Sequence, residues 1–209
     1  MSDNKEIYSK DVIEFVTVAA EFSKFLESAS MFSKRDYINK LLKLLPLLYL
    51  KTSLINKPEP LLDDEYLETF VSETEYEMLR QEIAAKIGTS DSYLEIYTQD
   101  MEVSDEANAT NISEDLADIY QDIKNFLMRF QVGNEDVMND ALAELIENFR
   151  TYWGQRLVNC MRALHNAFYD PETDWEEDED DKAADSDDDE EEEAGNERMS
   201  NKFLNFQKK

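Results

Sequence analysis

The residues of this chain that could do chemistry fall into two groups, and the first is acidic. Asp115, Asp118 and Asp122 recur at spacings of three and four, and Glu144 and Glu147 are three apart, so each set shares one face of a helix. Two such faces turned toward each other could hold Mg²⁺ for water attack on a nucleotide or phosphate ester. That ion favours a few carboxylates together with water and substrate phosphate. A chain with 49 Asp and Glu also produces these spacings on solvated faces.

The second group is a polar row of Arg150, Arg156, Asn159, Arg162 and Asn166, beside Tyr152 and Trp153. Arginine offers forked donors and stacks on aromatic rings, so Trp153, Arg156, Asn159 and Arg162 would suit a partner's carboxylates or a ligand phosphate. The alternative is that these arginines pair with Asp118, Asp122 or Glu147 across a bundle.

Other chemistry is sparse. His165 is the only histidine, and Arg162 stands three residues before it, where a di-iron helical bundle would need a glutamate. No Gly-x-Ser-x-Gly, Walker or dinucleotide pattern occurs. Cys160 lies on an apolar stripe and reads as a small buried residue. A single cysteine forms no intrachain disulfide and removes the thiol clusters of most structural zinc sites. No catalytic residue and no cofactor is indicated.

Charge points toward binding. The chain carries −28, and residues 172–197 hold 17 Asp or Glu against Lys182 alone. Such a surface repels phosphate backbones and acidic lipid headgroups, which disfavours direct nucleic-acid or membrane contact. It attracts basic proteins, metal cations and polyamines. The acidic stretch has almost nothing apolar to offset ordering entropy and is expected to be disordered. It ends in a short basic and aromatic peptide with Lys202, Phe203 and Phe206, a candidate tethered ligand. The N-terminus lacks a signal-peptide pattern, and the apolar run from Leu44 to Leu50 is far shorter than a membrane helix. With one cysteine, these features point to the cytoplasm; the oligomeric state stays open.

The elements that must position these groups are helical. Four glycines and four prolines leave few turns. Val12, Phe15, Val16, Ala19, Phe22 and Leu26 form one stripe, giving a first helix over 6–30. Ser33 caps a second helix that Pro46 should kink or restart. Lys57 to Pro60 reads as a connector and 61–71 as a short helix. Ser72 to Glu75 is a capping box for a helix that Gly88 closes. Residues 89–110 suit a docked segment followed by a mobile loop. Asn111 to Glu114 is a second capping box, opening a helix that Gly133 ends. From Asn134 the apolar stripe runs about 35 residues to Pro171, long enough that the helix should bend near Gly154 or overhang the bundle.

The expected fold is an all-α bundle of five or six helices over 1–170, with the first, second, fourth and last long helices as its core. An acidic linker over 171–197 and a C-terminal peptide over 198–209 follow.

The segments Ile7 to Phe22, Leu41 to Tyr49 and Phe149 to Arg156 together resemble a family of short, acidic proteins from Bacteroidota catalogued as a domain of unknown function. The resemblance covers about residues 5–170. It implies a bacterial, cytoplasmic, helical protein and carries over no catalytic or binding residues. The functional expectation is a non-catalytic adaptor or regulatory protein that engages a basic protein partner through its acidic body and tail. The alternative is a Mg²⁺-dependent hydrolase built on the five helix-borne carboxylates.

Overall fold

The serines and asparagines of the sequence start most of the helices. Ser9 Oγ accepts the Val12 N–H and opens α1 (Lys10–Glu27), and Ser33 Oγ accepts the Asp36 N–H and opens α2 (Lys34–Ser53). Ser72 and Glu75 form the expected reciprocal capping box of α3 (Glu73–Ile87), which ends at Gly88 with φ 63°. Helix α4 (Ile112–Val132) ends at Gly133 with φ 79°, where a side chain would be strained. Asn134 caps α5 (Glu135–Asn148) through its side-chain oxygen. The structure, a computed structural model, describes residues 6–62, 67–94, 109–173 and 175. Met1–Thr173 form one compact unit, and Asp174–Lys209 are assigned to a second, of which Trp175 alone is described.

Helix α4 is the centre of the bundle, packing against α1, α3, α5 and the last helix, α6 (Gly154–Tyr169). Its Leu116, Ile119, Ile123 and Phe126 are buried, and Phe15 of α1 meets Phe126 with ring centroids 5.6 Å apart. Helix α2 packs on α1 and on α6. Phe25 stacks on Tyr37 at 4.9 Å, and Tyr49 meets Phe149 edge-on at 5.1 Å. Helix α3, not counted among the core helices from sequence, packs along α4 and buries Leu79, Ile83 and Ile87.

Two local expectations are overturned and two are narrowed. Pro46 lies inside α2 and neither ends it nor starts a new helix. The lost backbone bond is offset by complete burial of Leu41, Leu45 and Leu48 around it. The described parts of 61–71 are not helical, and 63–66 lie outside the described residues. Residues 89–94 do dock, but as a short strand: β1 (Ser92–Leu94) pairs antiparallel with β2 (Ala109–Asn111). The segment between them, including most of the expected mobile loop, lies outside the described residues. Finally, Asn111 makes no side-chain cap. Asp91 caps α4 instead, accepting the Ser113 N–H and hydroxyl at 2.7 Å each, while its carbonyl accepts the Ile112 N–H at 2.8 Å.

The long C-terminal element is interrupted just before Gly154. Helices α5 and α6 are joined by a π-helical turn over Phe149–Trp153. A Cβ on Gly154 would sit 2.4 Å from the Phe149 carbonyl oxygen, so only glycine permits this turn. Gly154→Ala is therefore expected to lower stability by about 1–3 kcal/mol, read from the midpoint of urea unfolding.

The irregular chain between α2 and α3 is held by buried polar side chains. Asp140 accepts the N–H groups of Leu61 and Leu62 at 2.7 and 2.6 Å, and Asn139 donates to the Glu59 carbonyl at 2.8 Å. Asn125 Oδ1 accepts the N–H groups of Phe70 and Val71 at 2.8 and 3.0 Å, and Arg129 Nε donates to the Glu68 carbonyl at 2.7 Å. All four side chains are buried in the helices α4 and α5. Asn125→Ala would leave two backbone donors without an acceptor, one of them buried. We expect a loss of about 2 kcal/mol, with faster amide exchange at Phe70 and Val71 as the local signature.

Candidate functional site

The row Asp115, Asp118 and Asp122 lies on one face of α4, as its spacing requires. That face is met by α3, by β1 and by the α5–α6 element, and each delivers partners. Tyr76 from α3 donates to Asp118 Oδ1 at 2.8 Å, and Tyr152 donates to Asp118 Oδ2 at 2.7 Å. Arg156 bonds Asp115 Oδ1 at 2.8 Å, reaches Asp118 Oδ2 at 3.3 Å and lies over the Tyr152 ring at 4.6 Å. The Tyr93 hydroxyl of β1 donates a short bond to Asp115 Oδ2. Asn148 of α5 donates to Asp122 Oδ1 at 3.1 Å. The result is a belt of three carboxylates, three tyrosines and one guanidinium across four elements.

Burial decides its electrostatics. Asp115 is 1 % exposed, and desolvation pushes its carboxyl up to about 6, outweighing the Tyr93 and Arg156 bonds that act the other way. Asp122 is likewise pushed up to about 6 by burial, with Glu144 and Asp118 adding to the rise and the Asn148 bond opposing it. The Tyr76 and Tyr152 hydroxyls are raised by burial and by donating to Asp118. These tyrosines therefore stay protonated donors at neutral pH.

The two glutamates expected to complete a metal site point to cations instead. Glu144 pairs with Arg129 at 2.9 Å and Glu147 with Lys57 at 2.6 Å. Among the described residues, no group of three or more His, Cys, Asp or Glu is placed to hold a metal ion.

The arginine row separates in the same way. Arg156 turns inward to Asp115 and Asp118, so the cross-bundle pairing reaches Asp118 but not Asp122 or Glu147. Trp153 is fully buried against Phe149, with ring centroids 4.7 Å apart, and Asn159 is 5 % exposed. Neither stands on the surface where a partner would meet it, because the apolar stripe they border is buried beneath α4 and α2. Arg162 donates to the Leu94 carbonyl at 2.7 Å, while Arg150 and Asn166 are exposed. His165 is exposed, its ring 4.7 Å from that of Tyr169. Cys160 is fully buried, which raises its thiol well above the usual range. Lys202, Phe203 and Phe206 lie outside the described residues.

Sequence reasoning did not find Tyr76, Tyr93, Asn125, Arg129, Asn139 or Asp140 as polar anchors. The available signal was a polar residue beside or within a buried apolar stripe, as Arg129 stands three residues after Phe126.

Fold and site together define an all-α bundle whose converging polar groups tie elements to one another. No described helix is long and apolar enough to cross a membrane. The chain belongs to the family described as Domain of unknown function (DUF5063), which matches residues 6–170. It is also similar to a Bacteroides fragilis protein solved by crystallography as a structural genomics target. The two are 48% identical with a TM-score of 0.71, over 80% of this chain and 98% of that one. No curated protein matches this chain.

The raised carboxyls make stability depend on pH in a known direction. Asp122 binds its proton more tightly when folded (about 6) than when unfolded (3.8), so its contribution falls as pH rises through that window. Asp122→Asn mimics the protonated form. It should be more stable than the parent by on the order of 2 kcal/mol above pH 6, and the advantage should vanish below about pH 4, as measured by urea titrations across pH.

Proposed function

We propose that this chain is a non-catalytic binding protein that engages a basic protein partner through its acidic surface and acidic C-terminal segment. The observation that carries this reading is how its carboxylates divide. The five helix-borne carboxylates that share helix faces by spacing are taken by Arg156, Arg129, Lys57 and tyrosine or asparagine donors. Exposed acids on other faces, such as Glu21, Glu73, Glu82 and Glu114, add to the surplus of the 172–197 stretch. Their summed field attracts a cationic surface and raises its encounter rate, an effect that salt screens.

The hydrolase reading lacks such support, since Asp115, Asp118, Asp122, Glu144 and Glu147 are each engaged with a different set of donors. A Mg²⁺ bound by Asp115 and Asp118 would have to displace Arg156 or a tyrosine at each.

The test is cross-linked affinity purification from the native cell, comparing the full chain with a full-length variant whose Asp and Glu over 172–197 are replaced by Asn and Gln. A basic partner that is captured by the parent, lost with the variant and weakened by raised salt is the expected result. Capture of the same partner by both chains, or of none by either, would overturn the tail-dependent reading.

A further inference from the structure

The body is not uniformly acidic. Helix α6 carries no acidic residue and α2 carries Asp36 alone, while Lys40 and Lys43 of α2 are exposed and its Lys51 is already paired with Glu14 of α1. Asp36 is itself tied to Ser33 at the helix start. Between these two helices lies an open groove of about 470 Å³, walled by Leu42, Val158 and Met161 and edged by Arg162, His165 and Tyr169. Val158 and Tyr169 are 46 % and 66 % exposed, so an apolar surface meets solvent beside a run of positive charge.

Arg162 is the second, independent observation. Its guanidinium packs over Tyr93 at 5.8 Å and gives one N–H to the Leu94 carbonyl. Its Nε is buried with no hydrogen-bond partner, and among the described residues no carboxylate forms an ion pair with it. In a chain with 49 acidic residues against 21 basic ones, an arginine at a groove without such a partner is an unmet demand for an anionic acceptor.

We propose that the α2–α6 groove is a docking site for an acidic peptide segment of a partner protein, in which an apolar side chain enters between Leu42, Val158 and Met161 and a neighbouring Asp or Glu pairs with Arg162. Charge complementarity selects this occupant. The lining of the groove holds Arg162 and no carboxylate, so an acidic segment finds a cation there and a basic one finds no acid. An acidic segment lacking an apolar anchor would gain only screened surface attraction. This site is distinct from the acidic surface and stands whether or not the reading given for that surface holds.

The test is a backbone and arginine-side-chain NMR titration of the full chain with the acetylated, amidated peptide Leu-Glu-Phe-Glu, and with Leu-Gln-Phe-Gln as its neutral twin. The expected result is saturable shifts at Val158, Met161, His165 and the Arg162 Nε–H, with affinity about tenfold weaker for the neutral peptide and weakened further by salt. Arg162→Lys should keep the fold and the preference for the acidic peptide, with reduced affinity, whereas Arg162→Gln should abolish the preference. Equal shifts with both peptides, or shifts away from this groove, would overturn the proposal. So would a concentration-dependent dimer broken by Val158→Glu, which would assign the groove to a second copy. The same amides moving without ligand when the chain's own 172–197 acids are neutralised would also overturn it, by assigning the occupant to this chain.

Discussion

Everything in this fold rests on satisfying backbone that is not helical. A bundle of long helices bonds its own peptide groups, but the described parts of the chain between α2 and α3 run along α4 and α5 without regular structure, and a buried N–H without an acceptor costs about 1–3 kcal/mol. Asp140 and Asn125 resolve this by accepting two consecutive N–H groups each, and Arg129 and Asn139 by donating to carbonyls. These four residues occupy buried helical positions that leucines could otherwise fill. Their retention as polar groups is what fixes the path of the connector, and the connector in turn sets where α3 begins and lies along α4.

The carboxylate belt follows the same logic with charge added. Three aspartates on one helix face repel one another, and two of them are poorly solvated, so the face could not be buried without donors from elsewhere. Arg156, Asn148 and the tyrosines supply them from three elements, which makes the belt a clamp joining α3, β1 and the α5–α6 rod to α4. The clamp leaves little room for a metal at Asp115 and Asp118, where each carboxylate oxygen already accepts a hydrogen bond. The π-helical turn contributes directly, since Tyr152 belongs to it and Arg156 follows Gly154 just beyond it.

Much of this was legible in the sequence because it is local. The caps at Ser33, Ser72 and Asn134, the stops at Gly88 and Gly133 and the apolar stripes depend on residues within a turn of each other, and they appear where spacing places them. The α4 cap shows the limit. Asn111 to Glu114 has the same local pattern as Ser72 to Glu75, yet Asp91, brought alongside by the β1–β2 pairing, takes the donors instead. A carboxylate delivered by tertiary contact outcompetes an amide from within the motif. Trp153 shows a second limit, since it both lies on the apolar stripe and adjoins the arginines. Burial of so large a side chain, about 2–3 kcal/mol, decided which pattern governed. The partners of the aspartate row could not be read at all, because nothing in the spacing of Tyr76 or Tyr93 announces which helix face they will meet.

Charge, finally, is distributed by element more than by overall balance. Lys57, Lys124 and Arg129 each meet a carboxylate across an interface, so these cations act inside the fold. Lys51 bonds Glu14 of α1 at 2.5 Å in the same way. Lys43 of α2 is exposed, Lys40 lies over the Phe32 ring, and α6, which packs on α2, carries no acid. A negative protein with a locally positive, partly apolar groove therefore presents two surfaces of opposite preference. Under the two proposed readings, discrimination between partners would follow from that separation, because a segment suited to one surface gains nothing from the other.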